Sequence, residues 1–182
     1  MISGSLAPSR LGLYMARLAE YNGAGPADRS PQAKASERGA MTIQAILMPL
    51  FVQVALTFVL LFWMGALRYR AVRTGQVEPE KVRLREPNWP PRVLQIANAY
   101  HNQLELPVLF YIVMLLAMST KTLDVVIYVL AWMFVLARVA HAYIHVTSNR
   151  LDRRTGVFGV GAIALLLMWV IVIARILLFN PV

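Results

Sequence analysis

No charged residue interrupts residues 43–67, IQAILMPLFVQVALTFVLLFWMGAL. An α-helix rises 1.5 Å per residue, and about 20 apolar residues cross the hydrocarbon core of a bilayer. Pro49 falls in the first turns of this run, where its missing N–H group costs little. The run therefore predicts a transmembrane helix.

The composition favours a membrane protein over a soluble one. Of the 182 residues, 58% are hydrophobic and 15% are charged, whereas soluble domains carry about 25% charged residues. We interpret the formal net charge of +9 as lysine and arginine at cytoplasmic loops and lipid headgroups, and not as a nucleic-acid surface. The chain has no cysteine, so disulfides and thiolate metal sites are excluded.

Three further segments, 93–119, 123–146 and 157–179, predict membrane spans. The last contains one charge, Arg175, close enough to its end to snorkel toward the headgroups. We therefore predict an all-α integral membrane protein whose fold is a four-transmembrane-helix bundle. The membrane domain comprises residues 41–182. We expect residues 1–40 to form a poorly structured tail, which we interpret as an over-long gene prediction or a dispensable segment.

The second span differs from the others because its purely apolar part, 106–118, is too short to cross the bilayer. Residues 93–105 must supply the remainder, and they include several polar side chains. Polar groups at this depth are costly in lipid, so we expect this half to face protein or a water-filled cleft. Pro107 should kink the helix or free a backbone carbonyl there.

The charges of the loops predict the orientation. Loop 68–92 holds seven Lys/Arg and three Glu, and loop 147–156 adds three arginines, whereas the short loop between them offers only Lys121. The positive-inside rule places loops 68–92 and 147–156 in the cytoplasm and both termini on the opposite side. We expect a bacterial inner membrane protein.

Two polar stripes mark a candidate site. Asn98, Asn102 and Glu105 are spaced by four and three residues, so they share one helix face, with His101 adjacent. The third span carries a second stripe, formed by Arg138, His141 and His145.

Three interpretations of these stripes remain open. The groups could satisfy one another, with Glu105 paired to an arginine. His141 and His145 could ligate zinc or iron as an H-x-x-x-H pair, although Glu105 is the only carboxylate within the second span. The arginines and amides could instead bind an anionic cofactor such as glutathione.

The sequence resembles the MAPEG family, the membrane-associated proteins of eicosanoid and glutathione metabolism, over about residues 43–180. The motifs that carry the resemblance are Arg92-Val93, Asn102-Gln103-Leu104-Glu105 with Pro107, Arg138-Val139-Ala140-His141, and Arg154-Thr155-Gly156-Val157-Phe158-Gly159. The number of spans and the long first loop are similar too.

The resemblance implies a homotrimer with glutathione bound between subunits in the cytoplasmic half. It implies that Asn102 and Glu105 anchor the polar backbone and amino group of the peptide. Arg138 and Arg154 would be the catalytic residues, which hold carboxylates or stabilise the thiolate.

Two positions depart from the family pattern. The glutathione users carry an arginine where this chain has Asn98, and often a tyrosine where it has His145. Both positions belong to the implied cofactor site, and an amide cannot replace a guanidinium fork. Two functions therefore stay open: a glutathione-dependent transferase or peroxidase acting on lipophilic electrophiles, or a non-enzymatic accessory or structural subunit of a larger membrane complex.

Overall fold

A computed structural model describes residues 11, 14, 15, 42–82 and 88–179. The chain divides into two compact units, Met1–Ile43 and Gln44–Val182. The predicted tail, residues 1–40, lies almost entirely outside the described residues. The second unit holds nearly all of the four predicted spans.

All regular structure in the described residues is helical, which confirms the all-α class. The α-helices are α1 (Ile43–Arg73), α2 (Pro91–His101), α3 (Leu106–Ser119), α4 (Val125–Val146) and α5 (Leu151–Phe179). Short 3₁₀ helices cover Pro79–Val82 and Asn102–Leu104. Four helical stretches are long and apolar enough to cross a membrane: Ile43–Arg73, Pro91–Ser119, Val125–Val146 and Leu151–Leu178. The prediction of four spans is thereby confirmed.

The second span is interrupted where the sequence predicts a kink. Helix α2 ends at His101, a 3₁₀ turn covers Asn102–Leu104, and α3 begins at Leu106. Pro107 lies in the first turn of α3, where it has no N–H group to return to the preceding turn and its ring crowds the carbonyl four residues earlier. The interruption frees backbone carbonyls in the middle of the span.

The last span begins earlier than hydropathy indicates. Helix α5 starts at Leu151, six residues before the predicted 157, so Arg153 and Arg154 lie on its first turns and not in a loop. The connection from α4 is correspondingly short, and Asn149 takes a positive φ of 49° within it. Asparagine tolerates this left-handed conformation better than most residues. Arg154 is thus held on a rigid element.

The main core lies among α3, α4 and α5. The rings of Phe110 and Phe134 stack with centroids 4.7 Å apart, and Met168 from α5 packs into the same fully buried cluster. Gly161 faces this interface, where an added Cβ would lie 3.4 Å from the Cβ of Ala137. Close contact between α4 and α5 therefore depends on a small residue at that position.

Helix α1 packs on the other side of the second span. Leu60 and Met64 of α1 meet Ile96 of α2 in a second buried cluster. A buried amide pair adds a polar contact, since Gln53 Nε2 donates to Gln103 Oε1 at 2.9 Å. This bond fixes α1 against the interruption in the second span.

Where α4 begins and α5 ends, one arginine joins the two helices. Asp124 caps α4, since its Oδ1 accepts from the backbone N–H of Ile127 at 3.0 Å. Arg175 Nη2 donates to Asp124 Oδ2 at 2.6 Å, and its Nη1 donates to the carbonyl of Thr122 at 2.7 Å. We call these contacts the Arg175 latch.

Candidate functional site

A polar cleft of about 380 Å³ opens beside the interruption in the second span. We define this polar cleft by its lining residues, which are Asn98, His101, Asn102, Glu105, His145 and Arg154. A smaller cavity of about 230 Å³ adjoins it and shares Asn102, Glu105 and Arg154. Five of the six residues assigned to the site from the sequence therefore lie together.

Exposure within the polar cleft differs from residue to residue. Asn98 and Glu105 are exposed, whereas Asn102 and Arg154 are half-buried and His145 is buried. The side chain of Glu105 makes no hydrogen bond or ion pair within residues 42–82 and 88–179. Its carboxylate is therefore available to a group from outside the chain.

Arg154 is fixed by two contacts. Its Nη1 lies 3.1 Å from His145 Nε2 and donates to Asn149 Oδ1 at 2.8 Å. Because a guanidinium can only donate, Nε2 of His145 is the acceptor. A neutral imidazole then carries its proton on Nδ1, which lies 3.3 Å from the side-chain amide of Asn102.

This arrangement assigns the tautomer of His145 and the orientation of Asn102. The structure places the amide nitrogen Nδ2 of Asn102 at this distance from Nδ1. A protonated Nδ1 needs an acceptor, so we assign the amide the other way round, with Oδ1 toward His145. Arg154, His145 and Asn102 thus form one hydrogen-bonded chain along the wall of the polar cleft. The chain fixes the guanidinium and the amide relative to each other.

Arg138 lies beneath the polar cleft and lines neither cavity. It is 1% exposed, and its Nη2 donates at 2.6 Å to the carbonyl of Asn102, within the interruption before Pro107. Its Nε and Nη1 are buried and have no hydrogen-bond partner. The Glu105 carboxylate acts on this guanidinium electrostatically, but the described residues show no hydrogen bond or ion pair between the two side chains, since Arg138 binds a backbone carbonyl.

The two histidines of α4 do not converge on a metal geometry. Both nitrogens of His145 are engaged as described, and Nδ1 of His141 lies 3.2 Å from the carbonyl of Arg154. Nε2 of His141 is buried without a partner. Within the described ranges, no group of three or more His, Cys, Asp or Glu side chains could hold a metal ion.

His101 is the residue of the polar cleft that sequence reasoning left out of the site. It lies three residues after Asn98 and four before Glu105, a spacing that places all three on one helix face. The signal was present in the sequence. The stripe had been defined as Asn98, Asn102 and Glu105, which left His101 beside it.

The fold and the polar cleft define an integral membrane protein of four spans, with polar groups gathered in one half of its helices. Comparison with models of protein families matches residues 46–174 to the MAPEG family. The chain belongs to the MAPEG family, which confirms the resemblance found in the motifs. Comparisons with curated proteins and with solved structures gave no match.

Proposed function

We propose that the protein binds glutathione in the polar cleft and activates its thiol for reaction with a lipophilic electrophile or peroxide. The observation that carries the proposal is the pairing of an unpartnered carboxylate, Glu105, with a fixed guanidinium, Arg154, in one cleft. Glutathione carries an amino group and carboxylates that match these two groups. The cleft volume of about 380 Å³ falls within the range of about 300–1,000 Å³ usual for small-molecule sites.

The roles of the residues follow from their positions. Glu105 holds the amino group, and Arg154 holds a carboxylate or the thiolate. Asn102 binds the peptide backbone, while His145 holds Arg154 and Asn102 in fixed positions relative to each other. When bound, glutathione supplies a nucleophilic sulfur, which a nearby cation stabilises as the thiolate.

Arg138 acts as a positioning residue in this proposal. It ties the Asn102 carbonyl to α4, so the interruption in the second span keeps its shape. Its spare N–H groups add positive charge beneath the cleft, where the low dielectric strengthens the interaction with an anion.

We further propose that a homotrimer completes the site. Asn98 and Glu105 are exposed on the single chain, and polar groups at this depth of a bilayer need protein or water beside them. A neighbouring subunit would supply that cover. Mass measurement in nanodiscs tests the assembly, and a monodisperse monomer would contradict it.

The proposal is tested by glutathione titration of the purified protein in lipid nanodiscs, with thiolate formation followed by ultraviolet difference absorbance. A hydrogen bond to a charged group contributes about 1.5–3 kcal/mol, so Arg154→Lys should weaken binding about 10- to 100-fold. The matched control is Arg153→Lys, since Arg153 is exposed and lines neither cavity. Equal losses in the two variants would contradict the proposed role of Arg154.

A second variant separates ligand binding from stability. Glu105 makes no hydrogen bond or ion pair within the described residues and acts on Arg138 only through space, so Glu105→Gln should lower glutathione affinity and change the thermal midpoint little. If Glu105 instead formed an ion pair that supports the fold, the substitution would lower both the glutathione affinity and the thermal midpoint. A variant unchanged in both quantities would remove Glu105 from the site.

The alternative function, a non-enzymatic subunit of a larger membrane complex, is favoured by two observations. Arg138 is occupied by a backbone carbonyl and lines neither cavity, and Asn98 replaces the family arginine. Such a subunit should bind no glutathione in the titration above. It should also co-purify with other membrane polypeptides after extraction in mild detergent.

A further inference from the structure

A second, separate cleft lies where α1 ends and α2 begins. It has a volume of about 200 Å³, and we call it the basic cleft; its lining residues are Leu67, Arg70, Ala71, Gln76, Pro90, Arg92 and Val93. It shares no residue with the polar cleft. Two guanidinium groups line it, and no acidic side chain does so among the described residues.

Arg92 is held in place by three contacts. Its Nη1 donates to Gln95 Oε1 at 2.9 Å and to the carbonyl of Val146 at 2.5 Å. Its guanidinium also lies 5.4 Å from the centre of the Trp63 ring. A guanidinium ordered in advance loses less conformational entropy when it binds a ligand.

Arg70 is the free partner in the basic cleft. It is exposed, and its guanidinium makes no hydrogen bond or ion pair within residues 42–82 and 88–179. A fixed arginine and an exposed one that line the same cleft suit an anion that several N–H donors can share.

The start of α2 adds to the positive potential. Its N-cap residue, Pro90, provides no side-chain hydrogen bond. The N–H group of Leu94 donates to the Pro90 carbonyl at 3.1 Å. The N–H groups of Arg92 and Val93 precede it and belong to the unpaired first turn. The N-terminus of a helix favours an anion for this reason and through its dipole.

Two tryptophans indicate the depth of the basic cleft. Trp63 contacts Arg92, and Arg68 lies 5.1 Å from the centre of the Trp89 ring. Tryptophan is enriched at the membrane–water interface, and arginine reaches the same level. We therefore place the basic cleft at headgroup height, where Leu67 and Val93 form part of its apolar lining.

We propose that the basic cleft binds a phosphate group carried by an anionic phospholipid of the adjoining leaflet. Arg70, Arg92 and the first turn of α2 hold the phosphate oxygens. The apolar lining accommodates the start of an acyl chain, which a soluble phosphate lacks. Basic pockets between membrane helices on the loop side are suited to such headgroups, and the charge of loop 68–92 predicts that this side is cytoplasmic.

Native mass spectrometry of the full-length protein in detergent tests this proposal. The probes are phosphatidylglycerol, phosphatidylcholine and inorganic phosphate, each titrated separately. Of the three probes, we expect only phosphatidylglycerol to bind tightly. Arg70→Gln should weaken its binding about tenfold or more. The matched control is Arg73→Gln. Arg73 is also exposed and lies one turn further along α1, but it does not line the cleft.

Each outcome decides the question. Equal binding of phosphatidylglycerol and phosphatidylcholine, or equal losses in Arg70→Gln and Arg73→Gln, would overturn the site. If inorganic phosphate binds as tightly as the lipid, the proposal of a lipid ligand is wrong, and the cleft binds a soluble phosphate compound. Arg92→Gln releases the Val146 carbonyl and therefore also changes the fold, so it is not used as the test. The side chain of Arg70 makes no such contact within residues 42–82 and 88–179, so Arg70→Gln decides the question.

The basic cleft and the proposed glutathione site can fail separately. Arg70→Gln should leave glutathione affinity unchanged, because the two clefts share no residue. Arg154→Lys should likewise leave phosphatidylglycerol binding unchanged.

Discussion

Two arginines within the membrane helices are used in opposite ways. Arg175, in the last turns of α5, places one terminal nitrogen on the Thr122 carbonyl and the other on the Asp124 carboxylate. Arg138, in the second half of α4, makes one hydrogen bond, to the Asn102 carbonyl, and buries two further nitrogens without a partner. The terminal nitrogens of Arg175 are both hydrogen-bonded, whereas two nitrogens of Arg138 are not.

The difference separates a fully hydrogen-bonded contact from one with unpaired donors. Buried polar groups are almost always hydrogen-bonded, so a buried guanidinium with two idle nitrogens needs an explanation. Nε2 of His141 and the carboxylate of Glu105 lie in the same region, the first without a partner and the second open to the cleft. We infer that the Arg175 latch stabilises the fold, whereas under the proposed function the unpaired groups around Arg138 serve ligand binding at a cost in stability.

The largest effect is expected at Arg138, and it tests this difference most directly. Arg138→Ala removes a fully buried side chain and leaves the Asn102 carbonyl without its donor, so we expect a loss of about 2–5 kcal/mol. Arg138→Met keeps the volume and removes a costly buried charge, so it should lose less. Thermal or denaturant unfolding of both variants measures the two losses. If both variants are as stable as the native chain, the hydrogen bond from Arg138 to Asn102 does not stabilise the fold.

Loss of the Arg175 latch should have a smaller effect. Asp124→Ala removes the cap of α4 and the ion pair, at a cost of about 0.5–2 kcal/mol for the cap. Asparagine also caps helices, so Asp124→Asn should lose only the ion pair, about 1 kcal/mol or less at this partly exposed position. Unfolding of the two variants gives the stability. Glutathione affinity should not change in either, and a change would mean that the two ends are coupled.

The smallest effect is the change in stability with pH that arises from Asp124 in the Arg175 latch. The Arg175 guanidinium that binds Asp124 holds the pKa of that carboxyl below its ordinary value. The unfolded chain therefore takes up the proton first as the pH falls. The stabilisation is fully present above the unfolded pKa of about 3.9 and is lost as the pH falls from there through the lower folded pKa.

Thermal midpoints measured from neutral pH down to about pH 3 test this expectation. Asp124→Asn cannot titrate at this position, so the gap between the native chain and this variant should narrow as the pH falls. A gap that stays constant would show that the carboxylate contributes nothing through its charge.

Much of the fold was predictable because the bilayer imposes it. A span needs about 20 apolar residues and complete backbone hydrogen bonding, so uncharged runs such as 43–67 specify helices without knowledge of their neighbours. The interruption near Pro107 was predictable for a local reason, the missing N–H group. The start of α5 at Leu151 was not, since hydropathy carries no signal once the helix leaves the hydrocarbon.

The candidate site was predictable in part. Helical spacing alone placed Asn98, Asn102 and Glu105 on one face, and the same spacing contained His101. The family motifs pointed to Arg154. Whether these residues bind glutathione stays a prediction until the titration is made.

The sequence by itself determined the number of spans, the kink in the second one and the polar face that this span presents, because each depends on residues close together in the chain. Only the tertiary structure decided which partner each arginine takes. Arg138 reaches a carbonyl that the Pro107 interruption frees, and Arg175 reaches Asp124 across the bundle, at separations of 36 and 51 residues. A hydrogen bond depends on distances of a few tenths of an ångström, and those distances are set by how the helices pack.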